Sequence, residues 1–130
     1  MCGIFGILSD THISSSHLRD LAHHARQRGR DSSGIFYSED HSYQVSRADY
    51  DIRKLLKKQS PLHTNFVMGH SRLITNGLSN NQPVVRDGLV LIHNGIIVND
   101  DQVWSNISQS RQYRIDSEAI LGAALQRIVD

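Results

Sequence analysis

The sequence predicts an α+β fold in which antiparallel sheet and helices are segregated, and three observations carry that reading. The elements run strand, helix, several strands with short helices between them, then a closing helix. Asp87-Gly88, set between the apolar runs 84–86 and 89–92, reads as a two-residue hairpin turn, because that pair tolerates the positive φ such turns need. No repeat, low-complexity tract or linker interrupts the 130 residues, a length suited to one compact domain with a sizeable core.

Residues 3–8 are nearly all apolar, which predicts a strand buried on both faces. Ser9-Asp10-Thr11-His12 follows as a turn. The serines at 14–16 suit the cap of a helix carrying Leu18, Leu21, Ala22 and Ala25 on one face, and Gly29 is its natural stop. Arg28-Gly29-Arg30-Asp31-Ser32-Ser33-Gly34 reads as a polar, glycine-bounded loop. Two strands, 34–38 and 42–47, join at Glu39-Asp40-His41. Asp51 is placed to cap a short helix through Ile52, Leu55 and Leu56 that ends before Pro61. Asn65-Phe66-Val67-Met68 is another strand, running into Gly69-His70-Ser71-Arg72, and 76–83 reads as loop. The second hairpin strand delivers His93-Asn94-Gly95 to its end. Asn99, Asp100 and Asp101 start a short helix containing Val103, Trp104 and Ile107. The last helix opens at Asp116-Ser117-Glu118 and carries Leu121, Ala124, Leu125 and Ile128 on one face. Ile120, Ala123 and Val129 widen that face, as in a helix packed inside a larger body.

Composition removes several classes of function. A hydrophobic fraction of 38% and a charged fraction of 21% describe an ordinary globular chain. A net charge of +1 predicts no steering toward nucleic acid or a membrane surface. No apolar run has the length of a membrane-spanning helix, and no basic-then-apolar signal peptide opens the chain. A single cysteine cannot form an internal disulfide, so the expected compartment is the cytoplasm. The eight histidines include no His-x-x-x-His pair with a nearby carboxylate, and His23-His24 point in different helical directions, so no metal is expected. Neither a phosphate-binding glycine loop nor a dinucleotide fingerprint is present, so no cofactor is expected either.

The one cysteine, Cys2, stands directly behind the initiator methionine. Removal of Met1 would leave it a free α-amine, whose ordinary pKa of about 7.7–8.0 lies near the thiol's value of about 8.5. Such an amine can take the thiol proton itself, so base and nucleophile share one residue. Taken alone, a free cysteine is more often a small buried packing residue. The remaining polar clusters decide between the two readings: residues 28–34, Gly69 to Thr75, His93-Asn94-Gly95 and Asp116-Ser117-Glu118. They fall at strand ends, in loops or at a helix start, where binding groups concentrate.

Taken in chain order, these clusters resemble one family. Met1-Cys2-Gly3-Ile4-Phe5-Gly6-Ile7 looks like the opening of the class II glutamine amidotransferases, within the N-terminal-nucleophile hydrolase superfamily. Residues 28–34 resemble that family's Arg-Gly-x-Asp-Ser-x-Gly loop, and Gly69-His70-Ser71-Arg72-Leu73-Ile74-Thr75 is similar to its Gly-His-Thr-Arg-Trp-Ala-Thr motif. His93-Asn94-Gly95-Ile96-Ile97 matches His-Asn-Gly-x-Ile, and Asp116-Ser117-Glu118 resembles Asp-x-Glu. Leu73 departs from the family's frequent tryptophan, and Asn76 stands where histidine is common.

The resemblance implies a four-layer αββα sandwich with Cys2 at the end of the first strand. It implies hydrolysis of L-glutamine to glutamate and ammonia through a Cys2 thioester, the ammonia passing to an acceptor synthase domain or subunit. In that scheme the Asn94 side-chain NH₂ and the Gly95 backbone N–H suit a developing oxyanion, where glycine allows close approach. Arg72 suits the substrate carboxylate through its bidentate fork, and Asp116 suits the ammonium. Thr75 adds a hydrogen bond to the substrate backbone, and Arg28 supports the nucleophile's N-terminus. Asp31-Ser32-Ser33-Gly34 and His93-Asn94-Gly95-Ile96-Ile97 look closer to hexosamine-phosphate synthases, whereas Asn81-Gln82-Pro83 leans toward asparagine synthetases. Family glutaminase domains are longer, so residues 1–130 are read as a partial domain, fragment or domain completed by another chain. An unpaired sheet edge would then favour association, a homo-oligomer included. A second reading is an inactive interaction or regulatory module that keeps the fold without turnover. A third is an amidohydrolase acting on another amide, against which Arg72 and Asp116 argue, since they match an amino-acid head group.

Overall fold

The computed structural model describes residues 2–73 and 81–129. Four strands form one antiparallel sheet in the order β1-β4-β2-β3: β1 (Gly3–Leu8), β2 (Ser32–Glu39), β3 (Ser42–Ala48) and β4 (Phe66–Arg72). Helices α1 (Ser15–Arg26) and α2 (Ile52–Gln59) cover one face. Alternate strand residues point to opposite faces. Phe5, Ile7, Ile35, Tyr37 and Val67 therefore meet Leu18 and Ala22 of α1 and Ile52, Leu55 and Leu56 of α2 in the main core. The Ser14 hydroxyl accepts from the Ser16 amide to start α1, and Asp51 accepts from Arg53 and Lys54 to start α2. Both caps satisfy amides that no earlier turn can reach.

A second, two-stranded antiparallel sheet pairs β5 (Val84–Arg86) with β6 (Leu89–Leu91). Asp87 and Gly88 both have positive φ (46° and 81°), as the Asp-Gly turn predicts. Helix α3 (Asp100–Ser105) packs on α4 (Glu118–Val129), which in turn contacts β6. The segment entering β5 lies on the open face of the large sheet: Gly34 abuts the Gln82 carbonyl and Pro83, and Arg47 Nε donates to the Pro83 carbonyl at 2.8 Å. The layers therefore run helices, four-stranded sheet, hairpin sheet, helices. No helix among the described residues is long and apolar enough to cross a membrane.

Two expectations are corrected. Among the described residues β1 is an edge strand, paired with β4 alone, and its outward residues Ile4 and Leu8 are 52% and 79% exposed. Its apolar run is packed only on the side that α1 covers. β2 begins at Ser32, two residues inside the expected polar loop. Pairing of Ser32 with Arg72 and of Ser33 with Ser71 draws the serines inward, and the Ser33 hydroxyl donates to the Tyr50 carbonyl at 2.7 Å.

Candidate active site

Three strand ends meet at one edge of the large sheet. β1 starts beside Cys2, β4 ends at Arg72, and β2 starts at Ser32. Gly3 pairs with Ser71, so the next step along the ladder sets Cys2 across from Arg72, whose other neighbour is Ser32. Cys2 is half-buried, and its backbone nitrogen donates to Asn94 Oδ1 at 3.2 Å. The hairpin thus brings a residue 92 positions away onto the start of the first strand. Because the Asn94 carbonyl oxygen takes that bond, its NH₂ group is left to donate elsewhere.

The loop bearing Asn94 is held from both sides. The His93 amide donates to Gln82 Oε1 at 2.6 Å, and His93 Nδ1 lies 3.0 Å from the Ser117 hydroxyl. Gly95 lies against the His93 ring; a Cβ there would fall 2.6 Å from Nε2, so the close approach requires glycine. Asp116 is half-buried and accepts the Ile97 amide, which places its carboxylate beside the same loop. Asn81 is buried and braces the base: its Nδ2 donates to the carbonyls of Ser33 and Ala48, and its Oδ1 accepts the Gln82 amide. Below, Glu118 is fully buried, pairs with Arg86 at 2.8 Å and accepts the amides of Gln112 and Tyr113.

The loop after α1 grips β4 through its backbone. The Ser71 hydroxyl donates to the Gly29 carbonyl at 2.6 Å and the Asp31 amide to the Arg72 carbonyl at 2.9 Å. Arg28 is exposed, and its side chain has no hydrogen bond or ion pair with another described residue. Thr75 lies outside the described residues. His70 is fully buried between these parts, and neither ring nitrogen has a hydrogen-bond partner among the described residues. Burial, then the charges of Arg72 and His93, lowers its pKa to about 4. The ring is therefore neutral at pH 7.

Cys2 and Arg72 thus stand at one end of the large sheet, with Asn94 hydrogen-bonded to Cys2 and Asp116 hydrogen-bonded to the loop that carries Asn94 and Gly95. Sequence reasoning did not find the supports Asn81, Gln82, His70, Arg86 and Ser117. His70 and Ser117 lie inside two of the named polar clusters, and Asn81-Gln82 is a polar pair before an apolar hairpin; Arg86 had no such signal. Among the described residues no cluster of three or more His, Cys, Asp or Glu could hold a metal ion.

No family model matches the chain. It is 38% identical over 104 residues to the glutamine–fructose-6-phosphate aminotransferase [isomerizing] of Bartonella henselae, covering 76% of this chain and 17% of that protein. It is 27% identical over 121 residues to a putative asparagine synthetase [glutamine-hydrolyzing] of Methanocaldococcus jannaschii, covering 91% and 21% respectively. The chain therefore spans only 17% to 21% of the length of these curated relatives. The fold matches glutamine phosphoribosylpyrophosphate amidotransferase from B. subtilis with a TM-score of 0.73 at 23% identity, over 93% of this chain and 28% of that one. With Cys2 held against Asn94 at the end of an αββα body, the chain is similar in fold and in motif order to the class II glutamine amidotransferases, of the N-terminal-nucleophile hydrolase type.

Proposed function

We infer that this chain hydrolyses the side-chain amide of glutamine and delivers ammonia to an acceptor domain or subunit. The observation that carries the reading is the 3.2 Å hydrogen bond from the Cys2 nitrogen to Asn94 Oδ1. With Met1 attached that nitrogen is an amide; once Met1 is removed, the same atom is the α-amine. It then takes the thiol proton as sulfur attacks the amide carbon. The tetrahedral oxyanion is met by the Asn94 NH₂ and the Gly95 N–H. Collapse transfers the proton to the leaving nitrogen, releases ammonia and leaves a thioester. Water then enters, the amine takes its proton, and glutamate departs with the sulfur restored.

Arg72 receives the substrate carboxylate and Asp116 its ammonium, while the Asp116 bond to the Ile97 amide sets the carboxylate's position. Thr75 is assigned the substrate backbone and Arg28 the support of the N-terminus, on their motifs alone. A reduced thiol as nucleophile suits the cytoplasm. The name of the aminotransferase relative supports an acceptor that receives nitrogen from glutamine. The test is release of glutamate and ammonia by the Met1-processed protein. Cys2→Ala should abolish it, and turnover retained in that variant would overturn the mechanism.

A further inference from the structure

A cavity of about 500 Å³ opens between α1, α2 and the chain leading to β4, and none of its lining residues belongs to the Cys2 cluster. Its volume falls within the range of roughly 300–1,000 Å³ usual for small-molecule sites. The floor is aliphatic: Leu18, Ala22 and Leu56 are each at most 7% exposed, and Leu62 extends it. Among the described residues no aromatic side chain lines it, so they offer a nucleobase no stacking surface.

The rim is cationic in a chain whose net charge is only +1. Arg19, Arg53, Lys54 and Lys57 stand around the mouth, together with Arg26. The sole lining carboxylate among the described residues, Asp51, is already committed to Arg26 at 3.3 Å and to the first amides of α2. The side chains of Arg19, Arg53 and Lys57 have no hydrogen bond or ion pair with another described residue. Like charges gathered at one opening repel, and an anion seated among them relieves that repulsion.

We propose that this cavity binds an amphiphilic anion, an aliphatic chain ending in a carboxylate or phosphate, with the chain on the leucine floor and the head group at the rim. A dissolved ligand fits better than a membrane surface. The site is concave, and none of the strongly exposed large apolar residues lies on α1 or α2, so neither helix offers a side chain to insert into lipid.

Calorimetric titration of the purified full chain with sodium decanoate tests the assignment. One saturable site is expected, with decanol at least threefold weaker and each methylene removed from the acid weakening binding by up to about fourfold. The double variant Arg53→Glu/Lys57→Glu, altered at two exposed positions, should weaken decanoate about tenfold and leave decanol unchanged. Decanoate affinity unaltered in that variant would overturn the proposal. So would inorganic phosphate binding as tightly as decanoate, which would mean a bare cationic patch. Capture by phosphatidylglycerol vesicles without a decanoate site would assign the groove to a membrane surface and overturn it as well.

Discussion

The two halves of the molecule are held together by different forces. Residues 2–73 close around nine buried apolar residues from two helices and the large sheet. Residues 81–129 have a smaller apolar cluster of Val84, Ile115 and Leu121. They add a buried Arg86–Glu118 pair and the side-chain hydrogen bonds of Asn81, Gln82 and Ser117. Apolar packing tolerates small shifts, whereas hydrogen bonds fix direction as well as distance. The half that carries Asn94 and Gly95 is the half positioned by directional contacts.

That contrast can be broken, and the largest effect is expected at Glu118. Glu118→Gln leaves Arg86 with only the exposed Asp87 carboxylate at 3.4 Å as countercharge and should cost about 3 kcal/mol. Chemical denaturation should show it as loss of the C-terminal half; a loss below about 1 kcal/mol would mean that the pair is dispensable. Asn94→Ala comes next. It should lower turnover by ~10²–10³, with the thermal midpoint nearly unchanged because the residue is exposed. An equal loss of stability would assign Asn94 to structure instead.

Acid should loosen the junction between the halves. Its sensor is His70, whose cross-strand neighbour Gly34 abuts Gln82. The His70 pKa is lowered to about 4 in the fold, against about 6.5 in the unfolded chain. Between those values the unfolded chain binds more protons. His70 therefore lowers stability as pH falls from about 6.5 to about 4, by about 3 kcal/mol in all. His70→Gln should remove that part of the acid dependence, and parallel curves for the two proteins would exclude it. The smallest effect belongs to the packed half. Asp51→Ala, which removes the α2 cap and a partly exposed ion pair, should cost about 0.5–2 kcal/mol with no change in the glutamine KM.

The same contrast explains what could be read from the sequence. The helices over the main core carry their apolar spacing and caps within a dozen residues, so Ser14, Leu18, Asp51 and Leu55 announce them locally. The Asp87-Gly88 turn does the same for the hairpin. β1 misled because an apolar run does not say which face will be covered. Arg86 follows two valines and precedes a turn, where a charged residue normally points to water, yet it is 4% exposed. Its partner Glu118 is 32 positions away, and Asn81 reaches Ser33 across 48. Each proposed site residue sits in a short motif, whereas the roles of Asn81 and Arg86 depend on partners brought near only by the fold.

The contact between the Cys2 nitrogen and Asn94 also has a practical side for anyone producing this protein. A purification tag or fusion partner left in front of Cys2 would turn a basic amine into an amide with no lone pair to accept a proton. On the proposed mechanism such a preparation would show no glutaminase turnover. A handle before Cys2 therefore needs a cleavage site that exposes the cysteine itself.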